Sequence, residues 1–556
     1  MYIIVSCSLE PIQGENPFLD CIELISTFYK EQAEAMKEES WPPVKEVNFI
    51  QLALVKQSHR NKSCQFRTVY GQIDDVVGDK TFTDFHSIFS DLQDGSRILL
   101  EGRPGSGKTT LMLKISNDWA TGEILQTKLV LFVQLRGLGG KANLDLHSLL
   151  AMSSPILSAA SEHIGSLCSY INKQRGKGVV FALDGLDEYA PGTEETNFVY
   201  KLIKKVHLPR STVIVSSRPA ATYTFRKNAT RWIEVVGFLE DQVLQYISSY
   251  YDDDDDKAQQ LKLHMVRHPN VMNMAYLPLH CAMLTYLYDE DEILPETQTE
   301  FYKHFTLSTL LRSICKRGCM KDSFFLSSFK DLLPNDNILF CGICKLAFDA
   351  TVASKQVFSF AELESKGIAL KPGSTGSDET SLGLVVIDRY FMKYGRDETY
   401  TFLHLTFQEF LAAVHIAGLE NSEQLQIIEN HYEKKHLSVV WRFLCGMLDY
   451  TSSSSMDTFK HLMRTTKDEL FKIQCCHESQ QPSLCTHVIN ISSGHIEFAD
   501  NSITSSDCVA IGYAIVVNKS ESRLVNICFN NCTLSSEGTV TLLQQVGDHP
   551  FSLQFK

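Results

Sequence analysis

The chain has 556 residues, enough for several domains, and ordinary globular proportions of apolar and charged side chains. Its net charge of −14, from 52 basic and 66 acidic side chains, argues against nucleic acid or an anionic membrane as the main partner. No apolar run approaches the ~18 residues of a membrane-spanning helix, and sixteen cysteines without a framework of spacings read as reduced thiols in a cytoplasmic protein. Residues 1–75 read as an N-terminal helix and linker segment. Asn16 can cap the helix, Pro17 suits its first position, and Ile22, Ile25, Tyr29 and Met36 recur on one face. The helix stops before Trp41-Pro42-Pro43. Asn48 to Val55 follows as an apolar strand or docking segment.

Gly102-Arg103-Pro104-Gly105-Ser106-Gly107-Lys108-Thr109 fits the phosphate-loop pattern G-x-x-x-x-G-K-[ST] at every fixed position. An apolar strand, Ile98-Leu99-Leu100-Glu101, leads into it, and a helix beginning near Thr110 and Leu111 follows. Glycines let the backbone curl so that successive N–H groups face phosphate oxygens, and the helix start adds its positive dipole end. Lys108 is expected to reach the β- and γ-phosphates, and the Thr109 hydroxyl to ligate Mg²⁺.

Short β-rich runs then alternate with helical stretches: Val130 to Leu135, Val179 to Leu183, Thr212 to Ser216 and Trp232 to Val236. That alternation predicts an α/β domain over 76–240, a parallel sheet with helices on both faces. Roughly 75 residues after the phosphate loop, Val179 to Leu183 ends in Asp184-Gly185-Leu186-Asp187-Glu188. Asp184 at the strand end is expected to hold the Mg²⁺ shell, and Asp187 and Glu188 to orient a water opposite the γ-phosphate. Arg218 ends the run Thr212 to Ser217, where its guanidinium can sense the γ-phosphate's charge. Asn172-Lys173-Gln174-Arg175 and Asn518-Lys519-Ser520-Glu521 both lack the Asp of a guanine-reading motif, which favours adenine.

From about 240 the pattern becomes mostly helical. Asp252 to Asp256 reads as a solvated loop, and Pro372-Gly373-Ser374-Thr375-Gly376-Ser377 as a flexible one. Cys341 and Cys344 have C-x-x-C spacing inside an apolar helical run, which reads as buried small side chains. Cys475, Cys476, His477, Cys485 and His487 offer enough donors for a tetrahedral Zn²⁺, although they too lie in a helical stretch. Leu524 to Leu534 has leucine-rich-repeat spacing, an apolar helix through Val540, Leu543 and Val546 follows, and Phe551 to Phe555 resembles the next repeat's strand.

Together these residues resemble a family, the NACHT branch of the STAND P-loop NTPases found in NOD-like receptors. The resemblance rests on the phosphate loop, Leu183 to Glu188, Ser217-Arg218-Pro219, Leu277-Pro278-Leu279, and the string Tyr400 to Ala413, which is similar to the family's winged-helix signature. Val440 to Met447 resembles the helical domain beyond it. The resemblance implies a nucleotide-binding domain over 76–240, helical domain 1 over 241–315, a winged helix over 316–418, helical domain 2 over 419–505 and a leucine-rich-repeat beginning over 506–556. It also implies ATP and ADP with Mg²⁺ as ligands, Pro278 lining the adenine pocket, and His404 contacting the β-phosphate of a clamped ADP. Read without the family, His404 on the apolar stretch Phe402-Leu403-x-Leu405 is a satisfied core histidine. The implied function is a nucleotide-controlled switch in intracellular innate immune signalling, with protein partners and self-oligomerisation on activation. Two other classes stay open: a turnover NTPase that does mechanical or metabolic work, and a nucleotide-binding scaffold or decoy. The family normally places an effector domain ahead of the nucleotide domain, and residues 1–75 hold a single helix.

Overall fold

The computed structural model describes residues 17–39, 49–56, 81–82, 84–102, 105–135, 144–154, 161–189, 197–218, 222, 225–251, 255–291, 294–316, 328–332, 334–368, 384–387, 399–402, 404–491, 495–499, 502–503, 505–517, 525–534, 536–547 and 551–555. These fall into two compact units, one ending at Gln242 and the other beginning at Val243.

In the first unit seven strands form one sheet: β1 (Ala53–Lys56), β2 (Thr81–Phe82), β3 (Arg97–Gly102), β4 (Leu129–Gln134), β5 (Val179–Asp184), β6 (Thr212–Ser217) and β7 (Arg231–Gly237). Their spatial order is β2-β1-β7-β3-β6-β5-β4. The five strands from β7 to β4 run parallel, as the strand–helix alternation predicts. Every residue of β3, β5 and β6 is buried, which explains their near-continuous apolar runs. β1 joins antiparallel to β7 and pairs antiparallel with the short β2. The sheet is therefore parallel except at this one edge.

β1 and the helix Pro17–Glu39 belong to this unit. The helix packs on the helix Lys108–Ala120, and the Tyr29 hydroxyl accepts a hydrogen bond from the N–H of Phe132 in β4, at 2.6 Å. Tyr29 is buried, its ring edge-on to Trp119 and Phe132. Two crossovers leave the centre of the sheet in opposite directions. The link from β3 to β4 carries Lys108–Ala120 over β6 and β5, whereas the link from β6 to β7 passes over β3. Right-handed crossovers that run in opposite directions lie on opposite faces. Asn16, Trp41 to Pro43, and Pro372 to Ser377 lie outside the described residues.

The second unit opens with helices Asp255–Arg267, Pro269–Ala275, Pro278–Asp291 and Gln298–Lys316. A small antiparallel sheet follows, with β10 (Thr399–Phe402) between β8 (Val357–Ser359) and β9 (Val385–Ile387). The helices Pro334–Val352 and Leu405–Ala417 pack together beside it. Tyr302 joins three helices in one aromatic cluster, its ring 5.0 Å from Phe407, 5.7 Å from Phe410 and 5.3 Å from Phe443. Near it, Glu478 accepts from the N–H and hydroxyl of Thr299 at 3.0 and 2.7 Å, so a carboxylate 179 residues away caps the helix Gln298–Lys316. Beyond further helices, β11 (His495–Ala499), β12 (Val525–Asn530) and β13 (Phe551–Phe555) form a parallel sheet. Ile496, Ile527 and Leu553 stand in register, as do Phe498, Phe529 and Phe555. Helices Ser505–Val517 and Ser536–Val546 alternate with these strands and pack on one another. This strand–helix repetition starts at His495, ahead of the boundary expected at 506.

Candidate functional site

The phosphate loop leaves β3 at Gly102 and returns as the helix Lys108–Ala120. Gly105 and Gly107 have φ of +75° and +90°, which side chains other than glycine adopt only with strain. A Cβ on Gly107 also meets Leu52 Cδ1 at 2.9 Å, and one on Gly102 meets Ser106 Oγ and the Val235 carbonyl, each at 2.6 Å. The glycines thus hold open a backbone cradle that any larger residue fills. Lys108 folds back so that Nζ donates to the Gly102 carbonyl at 2.8 Å, carrying its charge across the loop. Ser106 Oγ is fully buried and, among the described residues, has no hydrogen-bond partner. An orphaned hydroxyl in a glycine-lined cradle at a helix start fits a phosphate. Thr109 and Thr110 sit exposed on the first helical turn. Arg103 and Pro104 lie outside the described residues.

Asp184 ends β5, buried, with its carboxylate held by the Ser216 hydroxyl of the neighbouring strand. The same hydroxyl accepts from the N–H of Gly185 at 3.0 Å, so β6 fixes the turn that follows the carboxylate. Asp187 and Arg218, expected to act separately, are brought together. Arg218 Nε lies 2.9 Å from Asp187 Oδ2, and Asp187 Oδ1 accepts from the Arg218 N–H at 3.1 Å and the Ser217 hydroxyl at 3.3 Å. Each neutralises the other. The Glu188 side chain and Pro219 lie outside the described residues.

Glu101, read in the sequence only as part of a mostly apolar run, is a buried carboxylate one residue before the phosphate loop. Arg226 grips it through two nitrogens, Nε to Oε1 at 2.8 Å and NH2 to Oε2 at 2.7 Å, and the Thr222 hydroxyl donates to the same Oε1. Arg226 in turn lies over the Trp232 ring, 4.4 Å from its centroid. At the other end of β3 the buried Arg97 donates to the carbonyls of Gly95, Ser96, Leu202, Ile203 and Ser211. Burial lowers its pKa to about 10. Charged residues that bound an apolar run look like ordinary strand ends, and most of their partners lie over a hundred residues away.

Pro278 and His404 belong to the second unit. Pro278 is the first residue of its helix and half-buried. His404 caps the helix Leu405–Ala417: its Nδ1 accepts from the N–H of Thr406 at 3.2 Å and lies 2.9 Å from the Thr406 hydroxyl. With Nδ1 accepting, the neutral ring carries its proton on Nε2. Leu403 lies outside the described residues. Nearby in sequence to Pro278, His280 is fully buried, with Nε2 2.8 Å from the Tyr302 hydroxyl, and burial lowers its pKa to about 4.

The residues considered for zinc do not gather as a set of three donors among the described residues. Cys475, Cys476 and Cys485 are buried; burial raises the pKa of Cys475 well above the thiol range, and a hydrogen bond with Cys485, then burial, does so for Cys476. Among the described residues, the one metal-like grouping within 4.8 Å is His86, Asp118 and Glu123. Asp118 there already meets His86 at 2.9 Å and Lys114 at 2.6 Å.

Residues 96–254 match the NACHT domain. The "NACHT, LRR and PYD domains-containing protein 3" of Bos taurus is 23% identical over 404 residues, taking in 65% of this chain and 36% of that protein. The "NACHT, LRR and PYD domains-containing protein 1 homolog" of Danio rerio is 23% identical over 520 residues, 81% of this chain and 35% of that protein. The human "NACHT, LRR and PYD domains-containing protein 12" is 24% identical over 392 residues, 65% of this chain and 34% of that protein. The chain spans about a third of the length of these curated relatives. Among solved structures, the Drosophila ORC bound to DNA aligns with 57% of this chain and 81% of its own at 12% identity, with a TM-score of 0.25. CDC6P from Pyrobaculum aerophilum aligns with 57% and 87% at 14% identity and a TM-score of 0.24.

Proposed function

We propose, from the premise that this chain carries a NACHT domain and is related to the NOD-like receptors, that it is an ATP- and ADP-binding switch. The observation that carries the reading is the phosphate cradle itself, with Lys108 drawn across the loop and a buried Ser106 hydroxyl left for a ligand oxygen. Lys108, Ser106 and the first N–H groups of the helix bind the phosphates, with Arg103, Pro104, Gly105 and Thr110 completing the loop. Thr109 and Asp184 hold Mg²⁺, which supplies charge neutralisation between the phosphates when bound.

Arg218 distinguishes the two nucleotides by exchanging Asp187 for a terminal phosphate oxygen. In the same reading His404 contacts the β-phosphate of ADP through its Nε2–H and supplies the opposing preference, and Pro278 lines the adenine pocket. A ligand shifts such an equilibrium only through different contacts in the two states, and these residues provide them. Asp187 is released to orient water, beside Glu188, only once Arg218 has left it, and hydrolysis in this reading is slow. In this reading β8 to β10 and their helices are a winged helix, and the strands from His495 onward begin a leucine-rich repeat. The setting is cytoplasmic innate immune signalling, with protein partners and self-oligomerisation on opening; no helix among the described residues is long and apolar enough to cross a membrane.

Rapid-quench measurement of ATP turnover separates the switch from a working NTPase. The switch predicts one turnover in minutes or longer, roughly 10⁻² s⁻¹ or below, against ~1–10³ s⁻¹ for typical enzymes. Sustained turnover near 1 s⁻¹ contradicts it.

A further inference from the structure

The Glu101–Arg226 pair does more than close a buried charge. In the parallel ladder Glu101 stands opposite Ser217 of β6, so the two side chains share a face of the sheet. Ser217 and Arg218 are bound to Asp187, and Thr222 and Arg226 are bound to Glu101. Arg218 is thereby pinned to the turn after β5, and Thr222 and Arg226 to the residue just before the phosphate loop. Only three residues separate Arg218 from Thr222, a span of at most about 14 Å. Displacing the far anchor therefore displaces the arginine.

We infer that Glu101 and Arg226 are positioning residues, which hold Arg218 in place and so set the preference for a triphosphate over a diphosphate. The inference rests on the reading of Arg218 given above. Two arginines end the segment, one held by Asp187 in the turn after β5 and the other by Glu101 near the end of β3. Arg218 leaves Asp187 for a terminal phosphate, whereas Arg226 stays on Glu101. Its two-nitrogen grip on both carboxylate oxygens, backed by the Trp232 face, fixes the direction from which Arg218 approaches. A lysine has neither the planar fork nor the stacking face to reproduce that geometry. Because a diphosphate presents nothing to Arg218, the pair leaves its binding nearly untouched.

The test is titration of fluorescent N-methylanthraniloyl ATP and ADP against the full chain and its Arg218→Ala, Arg226→Ala, Arg226→Lys and Arg218→Ala/Arg226→Ala variants, each checked for a native melting curve. Arg226→Ala is expected to weaken ATP binding about tenfold, the worth of one charge-assisted hydrogen bond, while ADP changes less than about twofold. Arg226→Lys should follow it, keeping the fold where the alanine variant loses it. The double variant should bind ATP no worse than Arg218→Ala alone, since both losses act through one contact. Parallel losses for ATP and ADP, or effects of the two arginines that multiply, overturn the inference. Should Arg218→Ala leave ATP binding unchanged, the sensing role of Arg218 itself fails, a different outcome from a silent Arg226.

Discussion

Gly446 tests how closely the helices of the second unit approach. It lies in the helix Ser438–Met447, and a Cβ at this position falls 2.5 Å from Thr299 Cβ and 2.7 Å from Thr299 Cγ2. Both are far inside the ~3.5–4.0 Å at which carbon atoms attract. Thr299 has nowhere to retreat, being buried and bound twice to Glu478. Forcing a methyl group into this space costs about 1–3 kcal/mol. Displacing Thr299 enough to lose one hydrogen bond to the carboxylate adds about 1.5–3 kcal/mol. Alanine's better helix propensity returns about 1 kcal/mol. Gly446→Ala should therefore destabilise this unit by about 1.5–5 kcal/mol, and Thr299→Gly in the same chain should recover about 1–3 kcal/mol of it by vacating the clash. Urea unfolding followed by the fluorescence of Trp441, on the same helix, measures both, with Trp41, Trp119 and Trp232 replaced by phenylalanine. A neutral or stabilising Gly446→Ala, the usual result at an uncrowded helical glycine, refutes the packing described.

Tyr29→Phe should cost about 1–3 kcal/mol of stability, because the Phe132 N–H in β4 loses its buried acceptor; a neutral result in urea unfolding followed by Trp119 fluorescence detaches the N-terminal helix from the sheet. His404→Ala should lose about 1 kcal/mol as a vanished helix cap. His404→Asn restores the cap but not the ring Nε2–H, so calorimetry should show its stability kept and its ADP affinity lowered; unchanged ADP affinity leaves the histidine a cap alone. His280 titrates at about 4 folded against 6.5 unfolded, so the unfolded chain takes up this proton first. Its contribution is complete above about pH 6.5 and declines as pH falls towards 4, by about 3 kcal/mol in all. His280→Gln should remove up to one proton from the uptake on unfolding in that window, and an unaltered pH slope contradicts the buried neutral ring.

Patterns confined to a short stretch were the readable ones. The phosphate loop declares itself because the glycines, the lysine and the flanking apolar strand are contiguous, and Asp184 because a wholly buried parallel strand is an unbroken apolar run that must end where water begins. What sequence could not show was partnership. Ala53 to Lys56 reads as a strand, but nothing in four residues says that it pairs antiparallel with β7, some 180 residues on. Asp187 and Arg218 each carry a plausible separate role until the fold places them 2.9 Å apart. Glu101 looks like the polar end of a strand, and only the crossover from β6 to β7, which lays Arg226 over β3, makes it a buried ion pair. His404 was ambiguous between core histidine and ligand contact, and the fold gives it a third local role, the cap of Leu405–Ala417.

The most direct test of the switch is the nucleotide that the freshly purified full chain carries, released by acid and quantified by ion-pair chromatography, beside Lys108→Ala. Close to one ADP per chain in the first and none in the second is the predicted result. A Lys108→Ala chain that keeps its ADP, or a native chain that carries no adenine nucleotide and takes none up, contradicts the account.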